Sequence, residues 1–191
     1  KMIANVPRMH ARVSGTTPSG HAYNALDPEL LNWVQATAAY GFLEAYNAYA
    51  WRLTDEDRDR FYHEGQTAAA LYGATGAPKS LAEQRALFDG AASRFEAHDI
   101  VFEFRNIMRR APAFPPPAHF IQRTLVRAAV DIVPAPIREV LGLGPRYGLR
   151  SFEKPIVERL GCRGERYVLR SSPAAQACRR LGLPEDYLYH T

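Results

Sequence analysis

The stretch from Asp27 to Arg52 constrains this chain more than any other part of it. Asp27 is placed to cap a helix, Pro28 takes the first helical position where its missing N–H costs nothing, and Glu29 favours the positive helix end. Beyond them Leu30, Leu31, Trp33, Val34, Ala38, Tyr40, Phe42, Leu43, Tyr46, Tyr49 and Trp51 point almost all round the axis. A helix apolar on every side leaves no face for water, so the pattern predicts a central, buried helix running to about Arg52. Asn32, Gln35, Thr37, Glu44 and Asn47 interrupt it, which argues against a membrane span of roughly 20 predominantly apolar residues.

The rest of the chain punctuates in the same helical idiom. Residues 1–13 read as the end of a helix that begins earlier, with Val6, Met9, His10 and Val13 at helical spacing on one side. Ser14-Gly15 ends it, and Thr16 to Gly20 reads as loop. Thr54, followed by Asp55, Glu56 and Asp57, caps a helix to about Tyr72. Ser80 and Glu83 form a capping box for a helix over about 81–96. Further helices are expected over about 99–110, then 118–133 with Phe120, Ile121, Leu125, Ala129 and Val133 inward. A short one follows Pro134 and Pro136 and is closed by Gly142. The prolines at 112 and 115–117 break the chain between two of these helices. From Gly144 on, short helices are plausible at 151–160, 173–181 and 184–189. Tyr167-Val-Leu169 is the one strand-like run. The tail is expected to pack on the main body through Leu181, Leu183, Tyr187 and Leu188. Without repeated period-2 runs a sheet core is excluded, and the class is all-α. The expected division is a helical domain over 1–143 and a helical extension over 144–191.

With 191 residues, 47% apolar and 23% charged, the chain can bury a core of its own and is not disordered. It starts at Lys1, and no charged-then-apolar leader follows. Cys162 and Cys178 are too few for a disulfide framework; they could make one bridge, and the commoner reading is free thiols in a reducing compartment, with a cytoplasmic location expected. Charge is uneven: residues 1–104 hold 9 Lys and Arg against 13 Asp and Glu, whereas residues 105–191 hold 15 against 7. A basic second half can meet an anion or simply be a solvated surface. Within it Arg105 and Arg109, and Arg123 and Arg127, are each four apart. Either pair could grip a carboxylate.

Six histidines are the natural candidates for metal or proton chemistry. No two stand three or four apart, so no self-contained metal site is written in the spacing. Hydrolase elbows, phosphate loops and dinucleotide fingerprints are absent too. His21, His63, His98, His119 and His190 read as surface or loop residues. His10 alone falls on an apolar helical face, where a neutral imidazole needs a partner, either a backbone carbonyl or an iron. On the long helix Thr37 and Glu44 lie about 20° apart around the axis, with Asn32 and Gln35 on the other side. Such groups either bond to neighbouring backbone or form a pocket wall.

Three stretches carry a resemblance: His10-Ala-Arg-Val-Ser-Gly15, Tyr23-Asn-Ala-Leu-Asp-Pro-Glu-Leu-Leu31 and Trp33-Val-Gln-Ala-Thr37. With the Tyr46 and Tyr49 pair, the proline break near Pro115, Ile132-Val-Pro134 and Arg138-Glu-Val-Leu-Gly-Leu143, they resemble the MpaB-like oxygenase family, which includes the latex-clearing proteins (rubber oxygenases). The resemblance spans roughly residues 6–143. It implies a helical bundle with a globin-like core, haem b as cofactor and His10 as the proximal iron ligand. Trp33 and Thr37 would line the pocket, and the substrate would be an apolar small molecule such as an isoprenoid or lipid chain. Two features depart from the family. Gln35 stands where members commonly carry His, and the helical region that usually precedes the His10 segment is not in this sequence. A missing upstream segment or a second chain would then complete the pocket. The alternatives are a helical structural or interaction module without cofactor, and a basic surface that binds anions or nucleic acid.

Overall fold

The computed structural model describes residues 2–17, 20–114, 118–164 and 166–189, with residues 2–4 by backbone alone. The proline run at 115–117 and His190 lie outside the described residues. In chain order the helices are α1 (Met2–His10), α2 (Pro28–Tyr49), α3 (Asp55–Leu71), α4 (Leu81–Ala91), α5 (Asp99–Arg110), α6 (His119–Asp131), α7 (Ala135–Val140), α8 (Lys154–Gly164) and α9 (Pro173–Arg180). The fold is thus mostly α, as the punctuation predicts.

The expected caps hold. The Thr54 hydroxyl accepts from the Asp57 N–H at 3.1 Å, and the Asp57 carboxylate accepts from the Thr54 N–H at 3.0 Å. Ser80 accepts from the Glu83 N–H at 3.2 Å, and the Glu83 carboxylate reaches one residue further, to the Lys79 N–H at 2.8 Å. Gly142 closes α7 at φ +69°, a left-handed conformation that other residues adopt only with strain.

Five local readings need correction. The segment after His10 is not helical: α1 tightens through three-residue hydrogen bonds from Arg12 to Met9 and from Val13 to His10. A small antiparallel hairpin follows, β1 (Ser14–Thr16) with β2 (Ala22–Asn24), pairing Gly15 with Tyr23. Gly15 permits it, because a side chain there would overlap the Tyr23 ring. Tyr167–Leu169, in contrast, is irregular backbone. Helix α2 is not buried on every side. Ala36, Leu43 and Asn47 are buried, while Val34 is 62% and Phe42 75% exposed. On α6 the buried residues are Gln122, Ala128 and Val130, whereas Phe120 and Leu125 are exposed. Gln122 is buried because its amide is used twice, donating to the Met108 carbonyl and accepting from the Ala113 N–H. It thereby ties off the end of α5. Finally, Leu181, Leu183, Tyr187 and Leu188 are exposed, and the last turn is a 3-10 helix at Tyr187–Tyr189.

The described chain forms two compact units. One contains the chain up to Leu43 together with Leu53–Phe95, and the other contains Glu44–Arg52 and the chain from Glu96 on. In the first, Leu43, Tyr62 and Leu81 cluster with Ala39 and Leu53, and Ala69, Ala74 and Ala77 cluster with Leu31. In the second, α5 packs on α6 and α6 on α8, and Ala128, Val130, Leu143 and Val157 are buried. Cys162 is exposed, Cys178 is buried, and both are free thiols. No helix of the described residues is long and apolar enough to cross a membrane.

Candidate functional site

His10 is the last residue of α1 and is half-buried. Its carbonyl accepts from the Val13 N–H at 2.9 Å, but its ring has no hydrogen-bond partner among the described residues. Beside it Met9 is 59% and Val13 50% exposed. The apolar face expected around His10 is therefore present but open, a surface that water covers poorly. The other described histidines sit at the surface. His98 has a defined structural task, capping α5 by accepting from the Ile100 N–H at 3.1 Å. Among the described residues no group of three or more His, Cys, Asp or Glu is arranged to hold a metal ion.

Trp33 belongs to a cavity of about 540 Å³ in the first unit, with Leu30 and Asn32 from α2 and Leu87, Ala91 and Phe95 from the region of α4. The Trp33 ring meets Phe88 edge-on at 5.8 Å and Phe95 at 5.6 Å. Such pairs fix the ring by their quadrupoles as well as by burial. An exposed ion pair between Arg94 and Glu29 stands at the same cavity. Asn32 is held away from free rotation because its Oδ1 accepts from the Gly76 N–H at 2.9 Å. Thr37 does not line this cavity. Its hydroxyl donates to the Trp33 carbonyl at 3.0 Å and lies 3.1 Å from that of Val34, the back-bonding habit of a helical threonine. Gln35 lines a smaller cavity of about 160 Å³ with Tyr62 and Gln66. His10 lines neither. The imidazole and Trp33 are therefore not brought together at either cavity.

One orphan stands out in this unit. Gln84 is the largest fully buried side chain, at 1% exposure, and both polar atoms of its amide lack partners. Buried amides normally find partners, and nothing in the sequence separates this glutamine from its neighbours.

The arginine pairs converge in the second unit. Arg105 and Arg109 on α5 and Arg123 and Arg127 on α6 line one cavity of about 570 Å³, joined by Arg146 and Arg150 from the connection before α8. Arg127 holds the turn below it, donating to the Arg146 and Gly148 carbonyls at 3.1 Å each, and lies 3.6 Å from the Glu153 carboxylate. The Arg105 and Arg146 guanidinium groups each stack on the Tyr147 ring at 4.6 Å. Burial, and then the charges of Arg109 and Arg127, lower the Arg105 pKa, with Tyr147 opposing them. The sequence spacing pairs the four helical arginines. Arg146, Tyr147 and Arg150 carry no such signal, because a loop has no period.

A family model described as "ER-bound oxygenase mpaB/B'/Rubber oxygenase, catalytic domain" matches residues 1–157. No curated protein and no solved structure matches the chain.

Proposed function

This chain belongs to the mpaB/rubber oxygenase catalytic-domain family, and on that premise we propose that it is a haem b-dependent oxygenase of an apolar substrate in which His10 would ligate the haem iron. The observation that carries the reading is the His10 ring, without a hydrogen-bond partner among the described residues and flanked by uncovered Met9 and Val13. An imidazole with no other partner among the described residues, beside an apolar face, is a donor that would suit haem iron. Bound haem would supply the activation of dioxygen. The chain's own part would be to hold the haem through His10 and to offer it the open apolar face of Met9 and Val13. The cavity at Trp33, of a size usual for small ligands and walled largely by apolar side chains, is the proposed seat of the substrate's apolar part. Thr37 holds the Trp33 turn of α2 rather than contacting that substrate. We assign this activity to residues 1–143 and treat 144–191 as an extension.

A second reading, a helical module without cofactor, is favoured by Gln35, which offers no imidazole, and by the cavities at Trp33 and Gln35, neither of which His10 lines. An absorption spectrum of the protein titrated with haem b separates the two. The oxygenase reading expects a Soret band that shifts on binding and is lost in His10→Ala. A protein that leaves the haem spectrum unchanged establishes the second, and a His10→Ala variant that keeps the wild-type haem spectrum overturns His10 as the ligand.

A further inference from the structure

We propose that the arginine-lined cavity of the second unit binds an amphiphile with an oxyanion head, a phosphate or carboxylate carried on an apolar chain. Among the described residues six arginines, Arg105, Arg109, Arg123, Arg127, Arg146 and Arg150, line the cavity with a single carboxylate, that of Glu153. That carboxylate is already engaged, by Arg127 at 3.6 Å and by the Arg150 N–H at 2.7 Å. Arg109 and Arg123 have no acceptor among the described residues. The Nε of Arg105 is shut off from solvent without a partner. Gathering like charges in one concavity is unfavourable unless an anion enters it, and guanidinium forks are suited to phosphate and carboxylate oxygens.

The same cavity has an apolar wall. Phe120 is 62%, Phe152 61%, Ile156 41% and Leu160 41% exposed, and all four line it. A bare inorganic anion leaves that wall wet, and a neutral lipid leaves the arginines unmatched. A ligand with both parts satisfies both. The volume of about 570 Å³ falls within the roughly 300–1,000 Å³ typical of small-ligand pockets. Among the described residues no His, Cys or Met lines the cavity, so this binding calls on no iron ligand and is independent of the role proposed for His10.

The test is calorimetric titration of the full, haem-free chain with five probes: dodecyl phosphate, dodecanoate and dodecanol, kept below their aggregation limits, together with inorganic phosphate and a single-stranded oligonucleotide. Both anionic amphiphiles are expected to bind at least about tenfold more tightly than phosphate or dodecanol. Arg109→Gln/Arg123→Gln should weaken them by about tenfold or more, while Arg85→Gln in the first unit changes nothing. Arg123→Gln alone, at an exposed residue, serves if the double variant fails to fold and should weaken binding several-fold. Equal binding of dodecanol, equal binding of inorganic phosphate, tighter binding of a single-stranded oligonucleotide, or arginine variants with wild-type affinity would each overturn the proposal.

Discussion

The Tyr49 hydroxyl donates to the Ala128 carbonyl at 3.1 Å, an acceptor that the Ile132 N–H also uses. Tyr49→Phe therefore leaves the carbonyl one partner, and the cost should be about 1 kcal/mol, read from the urea midpoint. Burial, then the charges of Asp131 and Glu158, push the phenol pKa from 10.0 up to about 12. The folded state thus favours the neutral phenol. Its contribution is intact below pH 10 and is lost as pH rises through about 12. The Phe variant should lack that part of the alkaline loss. Gly161 makes a different demand. A Cβ there would overlap the Tyr49 carbonyl oxygen, so Gly161→Ala should destabilise the protein by about 1–3 kcal/mol, measured by thermal unfolding. Neither role shows in the sequence, because each depends on a residue far away along the chain.

At the scale of elements, what was legible was where helices start. Thr54, Ser80 and the Asp27–Pro28 pair announce α3, α4 and α2 because capping is settled within four residues. Removing the Thr54 hydroxyl by Thr54→Ala should cost about 1 kcal/mol at neutral pH. Hydrogen bonds from Thr54, side chain first and then backbone, lower the Asp57 pKa below 3.8. Its stabilising part is therefore present above the unfolded value and disappears as pH falls through the lower folded one. Urea midpoints of Thr54→Ala and wild type should draw closer without meeting as the pH is lowered below 3.8, because the Thr54 hydroxyl still accepts from the Asp57 N–H. Which face each helix buries was far less legible. The apolar residues of α2 point all round, but burial falls on Ala36, Leu43 and Asn47, and periodicity cannot rank one side of such a helix over another. Gly41 is free to become alanine, because an added methyl would meet nothing within 4 Å. Gly41→Ala should stabilise α2 by about 0.5–1 kcal/mol in the same assay.

Across the whole molecule, stability is expected to be uneven. Amide hydrogen exchange should be slowest around the Leu43, Tyr62 and Leu81 cluster and fastest over 181–189, where Leu181, Tyr187 and Leu188 stay exposed. The chain by itself determined the α class, the helix starts and the family, because capping, proline and glycine act over a few neighbouring residues and a motif order is read along one dimension. Tertiary structure alone decided that Arg146 and Arg150 join the helical arginine pairs. It also decided that Gln122 is buried while Phe120 is not, and that the face beside His10 stays open. These are matters of which distant residue arrives at a given side chain, and that free energy lies in burial and pairing between segments, where local spacing holds no information.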